Sequence, residues 1–264
     1  MRLICPVCGK PLVRNGNSAV CENRHSFDYA RSGYLNLLLK SSQTTGDDRD
    51  MAAARTRFLE TGAYSFLRDE ISRLLPGKGV VSDLGCGEGY YTSAFQADEK
   101  YGFDLSKSAL THAAKTDPST MYVLASIFHL PLPDHCTDAA LTCFAPAASS
   151  EILRILKPGG FFLHVTPGPR HLYEMKEVLY DTPYLNPDKK IPYLLKHADA
   201  VTAVRKFHAD RNMLRDLFMM TPYAYRTGEA GIARLSKVSE MDITAEFVIH
   251  IYTPQQELPG RQVY

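Results

Sequence analysis

Val81-Ser82-Asp83-Leu84-Gly85-Cys86-Gly87-Glu88-Gly89 decides the fold of this chain of 264 residues. An apolar strand pattern runs into three glycines, and a helical pattern follows. Glycine serves where a backbone turns sharply and lets a ligand approach closely. The spacing is Gly-x-Gly-x-Gly with Tyr90 next, whereas a dinucleotide fingerprint asks for Gly-x-Gly-x-x-Gly. Asp83, just ahead of the glycines, repels phosphate and suits a ligand with a cationic amino group. Further on, Tyr101-Gly102-Phe103-Asp104-Leu105-Ser106 places Asp104 at the end of the next strand. A carboxylate there accepts hydrogen bonds from both hydroxyls of a ribose. Its alternative role is to cap the following helix.

Outward from the loop, strand and helix patterns alternate. Strands are predicted at Val80–Leu84, Tyr101–Asp104, Met121–Ala125, Asp138–Cys143 and Phe161–Val165. Helices are predicted at Tyr90–Ala97, Lys107–Ala114, Ser150–Leu156 and His171–Tyr180, with a turn at Lys157-Pro158-Gly159-Gly160. Such alternation implies an α/β fold, a parallel sheet with helices on both faces. Upstream, Phe58, Leu67, Ile71, Leu74 and Leu75 recur at helical spacing with a break near Gly62. Downstream come a strand near Val201–Phe207, a helix at Arg211–Met219 and a long strand at Ile243–Tyr252, which close the sheet as a hairpin-like pair.

Three of the six cysteines crowd the first 21 residues. Cys5-Pro6-Val7-Cys8 is followed by Cys21 and then His25. Two thiolates two residues apart share a metal on a tight turn, and Cys21 with His25 completes a tetrahedral set. Pro11 and Asn15-Gly16-Asn17 supply a hairpin between the pairs. A module of this size cannot hold itself together by burial alone, so a structural metal is expected. Four protein ligands leave no open position for catalysis. The competing assignment, a Cys5/Cys8 redox pair, wants a neighbouring βαβ unit that the pattern lacks. The organisation is therefore a metal module at 1–40, a polar linker at 41–50 and an α/β domain at 51–264.

The net charge of +1 hides an asymmetry. Residues 1–40 carry six basic and two acidic side chains, net +4, which leaves −3 for the remainder. A basic module on a mildly acidic body suits a polyanion docked at one end. No apolar run is long enough to span a membrane, and the first residues lack a signal-peptide pattern. A cytoplasmic location with no membrane partner is expected, and the scattered remaining cysteines suit a reducing compartment.

Two further stretches accompany the glycine loop. They are Ala125-Ser126, with His129-Leu130-Pro131-Leu132-Pro133 after it, and Ile152-Leu153-Arg154-Ile155-Leu156-Lys157-Pro158-Gly159-Gly160. With them, Val80 to Val165 resembles the class I, Rossmann-like S-adenosylmethionine-dependent methyltransferases. The resemblance implies that Asp83, Gly85, Gly87, Glu88, Gly89 and Asp104 surround the methyl donor. Ser126 stands where many members use an aspartate for the adenine amino group.

A closer likeness extends over nearly the whole chain. It rests on the Cys/His set, His25-Ser26-Phe27-Asp28-Tyr29-Ala30, Gly33-Tyr34-Leu35-Asn36-Leu37-Leu38 and Arg57-Phe58-Leu59-Glu60-Thr61-Gly62-Ala63-Tyr64. It continues in Phe144-Ala145-Pro146, Thr166-Pro167-Gly168-Pro169-Arg170-His171-Leu172 and Thr221-Pro222-Tyr223-Ala224-Tyr225-Arg226. In these the chain is similar to bacterial 23S ribosomal RNA guanine-N1 methyltransferases, a group with a macrolide-resistance branch. The resemblance implies zinc on Cys5, Cys8, Cys21 and His25, and donor contacts from Tyr64, Gly87, Glu88 and His171. It also implies a 23S rRNA hairpin as partner and a tendency to form homodimers. Related sequences can carry Trp near position 225; this chain has Tyr225 and no Trp at all.

The implied reaction moves a methyl group from a sulfonium to guanine N1, with positioning as a main source of rate. Phe144-Ala145-Pro146 is placed to hold the base edge through its carbonyls, and Tyr225 to stack on the base. Arg14, Arg24 and Arg31 are expected at phosphates. The base must be reachable, in a hairpin loop or flipped out. No residue stands out as a general base. Two other functions fit parts of the pattern: a small-molecule methyltransferase with a purely structural zinc ribbon, and a non-catalytic zinc-containing nucleic-acid-binding protein.

Overall fold

The computed structural model describes residues 2–39, 49–187 and 194–255. The chain begins with a small antiparallel sheet of β1 (Val13–Asn15), β2 (Ser18–Val20) and β3 (Ser26–Asp28). Gly16, at φ +60, makes the turn between the first two strands. After β3 the chain enters β4 (Leu35–Asn36), which pairs in parallel with the edge of a second, larger sheet. The expected linker 41–50 lies mostly outside the described residues, but Arg49 and Asp50 already belong to α1 (Arg49–Glu60). Gly62, at φ +77, separates α1 from α2 (Ser65–Leu74).

The large sheet contains β5 (Val80–Leu84), β6 (Glu99–Asp104), β7 (Met121–Leu124), β8 (Thr137–Cys143), β9 (Leu156–Pro167), β10 (Leu195–Asp210) and β11 (Glu240–Pro254). Its order is β10-β11-β9-β8-β5-β6-β7-β4. All pairs from β9 to β4 are parallel, and β11 and β10 add antiparallel at the far edge. Every residue of β5 is buried, as a central parallel strand covered on both faces requires. The chain order reverses direction at β5, so the crevice beyond its carboxyl end is where ligands bind in such sheets.

Helices α3 (Lys107–Thr116), α4 (Ser149–Ile155), α5 (Tyr173–Leu179), α6 (Arg211–Met219), α7 (Tyr223–Arg226) and α8 (Glu229–Ser236) complete the described elements. Phe58, Leu67, Leu141, Leu163 and Phe247 belong to one apolar core. Leu84, Phe103, Ala140 and Phe162 belong to a second, together with Leu3, Cys5 and Leu12 of the N-terminal module. The module is further tied to the sheet by the Ile4 N–H on the Pro131 carbonyl (3.0 Å) and the Arg2 N–H on the Tyr101 hydroxyl (2.9 Å).

Several local expectations are corrected. Tyr90–Ala97 is not an α-helix; only a single 3₁₀ turn forms at Thr92–Ala94. Phe95 leaves it in extended conformation and is buried in the first core. The Thr92 hydroxyl is spent on Asp83. Lys157-Pro158-Gly159-Gly160 is not a free turn but an irregular stretch of β9, with a register shift opposite Thr137 and Ala139 and Gly159 at φ +79. The helix expected from His171 begins at Tyr173, because Leu172 is left-handed at φ +56. The strand expected near Val201–Phe207 extends over Leu195–Asp210 as β10, paired with β11. The parallel run has six strands rather than five, since β4 is too short to show a period.

Candidate active site and metal centre

The N-terminal turns bring four ligand atoms together. Gly9 donates to the Cys5 carbonyl and Cys5 to the Lys10 carbonyl (both 2.8 Å), which folds Cys5 and Cys8 onto one side. Arg24, left-handed at φ +63, lets the chain reverse so that Cys21 donates to the His25 carbonyl. The one ligand atom offered by each of Cys5, Cys8, Cys21 and His25 lies within 4.8 Å of the others. Cys8 Sγ is 3.7 Å from Cys21 Sγ, and His25 Nδ1 is 3.5 Å from Cys5 Sγ and 3.4 Å from Cys21 Sγ. A tetrahedral zinc has ligand edges of about 3.8 Å between sulfurs and about 3.6 Å between sulfur and nitrogen. The donor set therefore fits zinc in type and in size. The Lys10 N–H, then His25 and Cys5, draw the Cys8 thiol down to about 6, toward the thiolate a metal needs.

At the carboxyl end of β5 the three loop glycines are all left-handed, at φ +84, +54 and +78 for Gly85, Gly87 and Gly89. They differ in surroundings. A Cβ on Gly85 would strike Ala145, and one on Gly89 would strike the Tyr122 hydroxyl. One on Gly87 would meet nothing within 4 Å. Close approach at Gly85 and Gly89 is thus to protein neighbours, and only Gly87 faces open space. Asp104 ties the loop to the next strand: its carboxylate accepts from the Gly87 N–H and the Ser106 N–H, each at 2.8 Å. Helix α3 is capped by Ser106, which accepts from Ala109 (3.3 Å), so the capping role once open to Asp104 falls to its neighbour.

Asp83 lies beneath this loop, 1% exposed. It accepts from the Thr92 hydroxyl at 2.6 Å, and its other oxygen has no hydrogen-bond partner among the described residues. Burial pushes its carboxyl up to about 7, with nearby Asp104 adding to the effect against the Thr92 bond. A cationic group above the loop draws it back toward the charged form. Glu88 accepts from the Thr56 hydroxyl of α1 at 2.6 Å, and burial raises its carboxyl above the ordinary range. It opens with α1 (Ala52, Thr56) and α3 (Ser108, His112) onto a cleft of about 230 Å³. An open glycine, a carboxylate held at the end of β6 and a buried acid with a spare oxygen suit a donor that has a sugar and an amino group.

Tyr64 and His171 share an aromatic cluster with Phe247. Tyr64 is fully buried, edge-on to Phe58 (4.8 Å) and Phe247 (4.9 Å), and its hydroxyl has no partner among the described residues. His171 lies 4.5 Å from Phe247, and its Nδ1 accepts from the Glu246 N–H at 3.3 Å. Burial, with the nearby Lys176 cation, pushes the imidazole down to about 3, so it is neutral.

Residues 3–41 match the zinc-ribbon family described as "RlmA, N-terminal", and residues 82–164 match a "Methyltransferase domain" family. A Streptomyces fradiae protein named 23S rRNA (guanine(748)-N(1))-methyltransferase is 38% identical over 188 residues, 67% of each chain. YxjB of Bacillus subtilis (strain 168), whose name provisionally gives the 23S rRNA (guanine-N(1)-) reaction, is 30% identical across 94% of this chain and 95% of its own. The chain belongs to the 23S rRNA (guanine-N1)-methyltransferase family. It is an S-adenosylmethionine-dependent methyltransferase with a structural zinc ribbon. Among solved structures, the YcgJ protein of Bacillus subtilis superposes with a TM-score of 0.50 at 15% identity, covering 74% of this chain and 99% of its own. That likeness shows the fold alone.

In this methyltransferase the loop expected to meet the target leaves β8 at Phe144, left-handed at φ +60 and 46% exposed. Its ring stands 5.3 Å from Phe247 and 6.4 Å from Tyr91, and Ala145 abuts Gly85, so this loop and the glycine loop touch. Tyr225, on α7, is 67% exposed, while Tyr223 is buried. Arg14, Arg24 and Arg31 are exposed on the zinc module, and Arg14 lies over the Tyr29 ring at 4.6 Å. The Ser126 hydroxyl accepts from the Phe128 N–H at 3.2 Å, a local turn. Sequence reasoning missed Thr56, Thr92 and Phe247. Each is an ordinary residue in an ordinary pattern, and only a long-range contact gives it a role.

Proposed function

We propose that this methyltransferase moves the methyl group of S-adenosylmethionine to N1 of a guanine in a hairpin loop of 23S rRNA, releasing S-adenosylhomocysteine and the N1 proton. The observation that carries the proposal is the likeness to YxjB, which spans zinc ribbon and glycine loop together. When bound, S-adenosylmethionine supplies an electrophilic methyl on a sulfonium. The chain's own groups do the rest. Gly87 leaves room at the loop, and Asp104, held by two backbone N–H groups, is fixed to accept from the ribose. Tyr64 and neutral His171 offer apolar faces that keep water away. Backbone carbonyls of Phe144-Ala145-Pro146 accept from the guanine edge, which orients N1 for in-line attack. Tyr225 stacks on the base, and Arg14, Arg24 and Arg31 meet phosphates beyond it.

The module 1–40 recognises RNA in this scheme, and residues 51–264 carry out the transfer. An rRNA substrate puts the enzyme in the cytoplasm, and two copies form a homodimer, which sedimentation tests. The zinc-loaded chain is incubated with labelled methyl donor and 23S rRNA lacking the modification. We expect label in RNA and a reverse-transcription stop at one guanine, since an N1-methyl group blocks pairing. Label in a small metabolite and none in RNA overturns the proposal.

A further inference from the structure

Lys176 on α5 is fully buried, yet it forms no salt bridge among the described residues. Burying an ammonium without an anion is costly, and an apolar side chain of similar length fills such a space more favourably. What the ammonium does instead is donate. Its Nζ bonds to the Tyr184 carbonyl at 2.9 Å and to Asn186 Oδ1 at 2.7 Å. It also lies 4.4 Å from the Tyr184 ring centroid and 5.8 Å from that of Tyr223. Asn186 passes the restraint on. Its Nδ2 donates to the Gly168 carbonyl (2.8 Å) and the His171 carbonyl (3.4 Å), and its N–H donates to the Pro169 carbonyl (2.9 Å). The turn is closed by the His171 N–H on the Gly168 carbonyl at 3.1 Å. One buried cation thus fastens residues 184–186 across the turn 168–171.

We propose that Lys176 is a positioning residue for the methyl donor, holding the 168–171 turn so that His171 meets the donor in one orientation. The inference rests on the methyl-transfer function above and on His171 as a donor contact. The proximity of the cation also helps to keep His171 uncharged beside a sulfonium.

The test uses the full zinc-loaded chain. Lys176→Met keeps the volume and removes the donors, and Asn186→Ala removes the relay while the lysine stays in place with one acceptor fewer. For both, we expect S-adenosylmethionine affinity by calorimetry to fall about tenfold. We expect KM for the donor to rise in step, kcat at saturating donor to change far less, and Tm of the Lys176→Met chain to fall by less than the affinity loss accounts for. Unaltered donor affinity in Lys176→Met overturns the proposal. So does an affinity loss seen only with a matching loss of Tm in both variants, which leaves Lys176 purely structural. A wild-type chain that binds the donor but methylates no RNA sinks the proposed substrate instead, and leaves the binding result for Lys176 intact.

Discussion

Gly85→Ala probes the glycine loop where it meets Ala145. The residue sits at φ +84, and its new Cβ would lie 2.5 Å from the Cβ of Ala145. Two penalties combine. A non-glycine residue in left-handed conformation costs about 1–2 kcal/mol. Overpacking a filled contact costs about 1–3 kcal/mol. A loss near about 3 kcal/mol lowers Tm by about 6–12 °C in a domain of this size. Gly87→Ala is the internal comparison. Its φ is +54 and nothing lies within 4 Å, so only the backbone penalty applies. The loss there is about 1–2 kcal/mol, and Gly87→Asn recovers part of it, because asparagine tolerates this conformation better. Urea and thermal unfolding of the zinc-loaded variants measure both. With Ala145 in the loop proposed to hold the guanine, Gly85→Ala is expected to slow RNA methylation more than it weakens donor binding. Should Gly85→Ala prove as stable as Gly87→Ala, the contact with Ala145 is not the constraint the geometry makes it.

Cys8→Ser is expected to strip the zinc and expose the amides of residues 2–39 to hydrogen exchange; elemental analysis that finds the metal content unchanged removes Cys8 from the ligand set. Asp104→Ala removes the acceptor for two backbone N–H groups as well as the proposed ribose contact, and donor affinity by calorimetry should fall at least about tenfold. Asp83→Asn should flatten a pH dependence. The Asp83 carboxyl is raised from 3.8 to about 7 in the folded chain, so its stabilising contribution is full below 3.8 and gone once pH has risen through about 7. The wild-type chain should therefore lose stability relative to Asp83→Asn across that window, opposite in sign to the effect of neutral His171. Parallel unfolding profiles for the two chains from pH 4 to 7 contradict the assigned burial.

Much of the fold was legible from local pattern. β5 to β9 show up as short apolar runs because a parallel strand is buried on both faces. The loop 85–89 shows up because left-handed backbone selects glycine at three places. Cys5, Cys8, Cys21 and His25 show up because few residue types bind zinc. Where local pattern failed, a distant contact had overruled it. Tyr90–Ala97 lost its helix to the burial of Phe95 and the Thr92–Asp83 bond. Leu35–Asn36 carries no period at all and becomes a strand only because β7 offers an edge.

Periodicity, glycine placement and ligand chemistry are properties of neighbours along the chain, so the order of β5 to β9, the glycine loop and the metal set were already present in the residue string. Charge state and orientation are different. Asp83 near 7, His171 near 3 and the buried ammonium of Lys176 depend on which groups fold over them and how much water those groups exclude. Arg57 finds Asp216 at 2.6 Å across 159 positions of chain. Such pairings are set by packing of the whole chain, because desolvation and Coulomb interaction act through space and take no account of sequence distance.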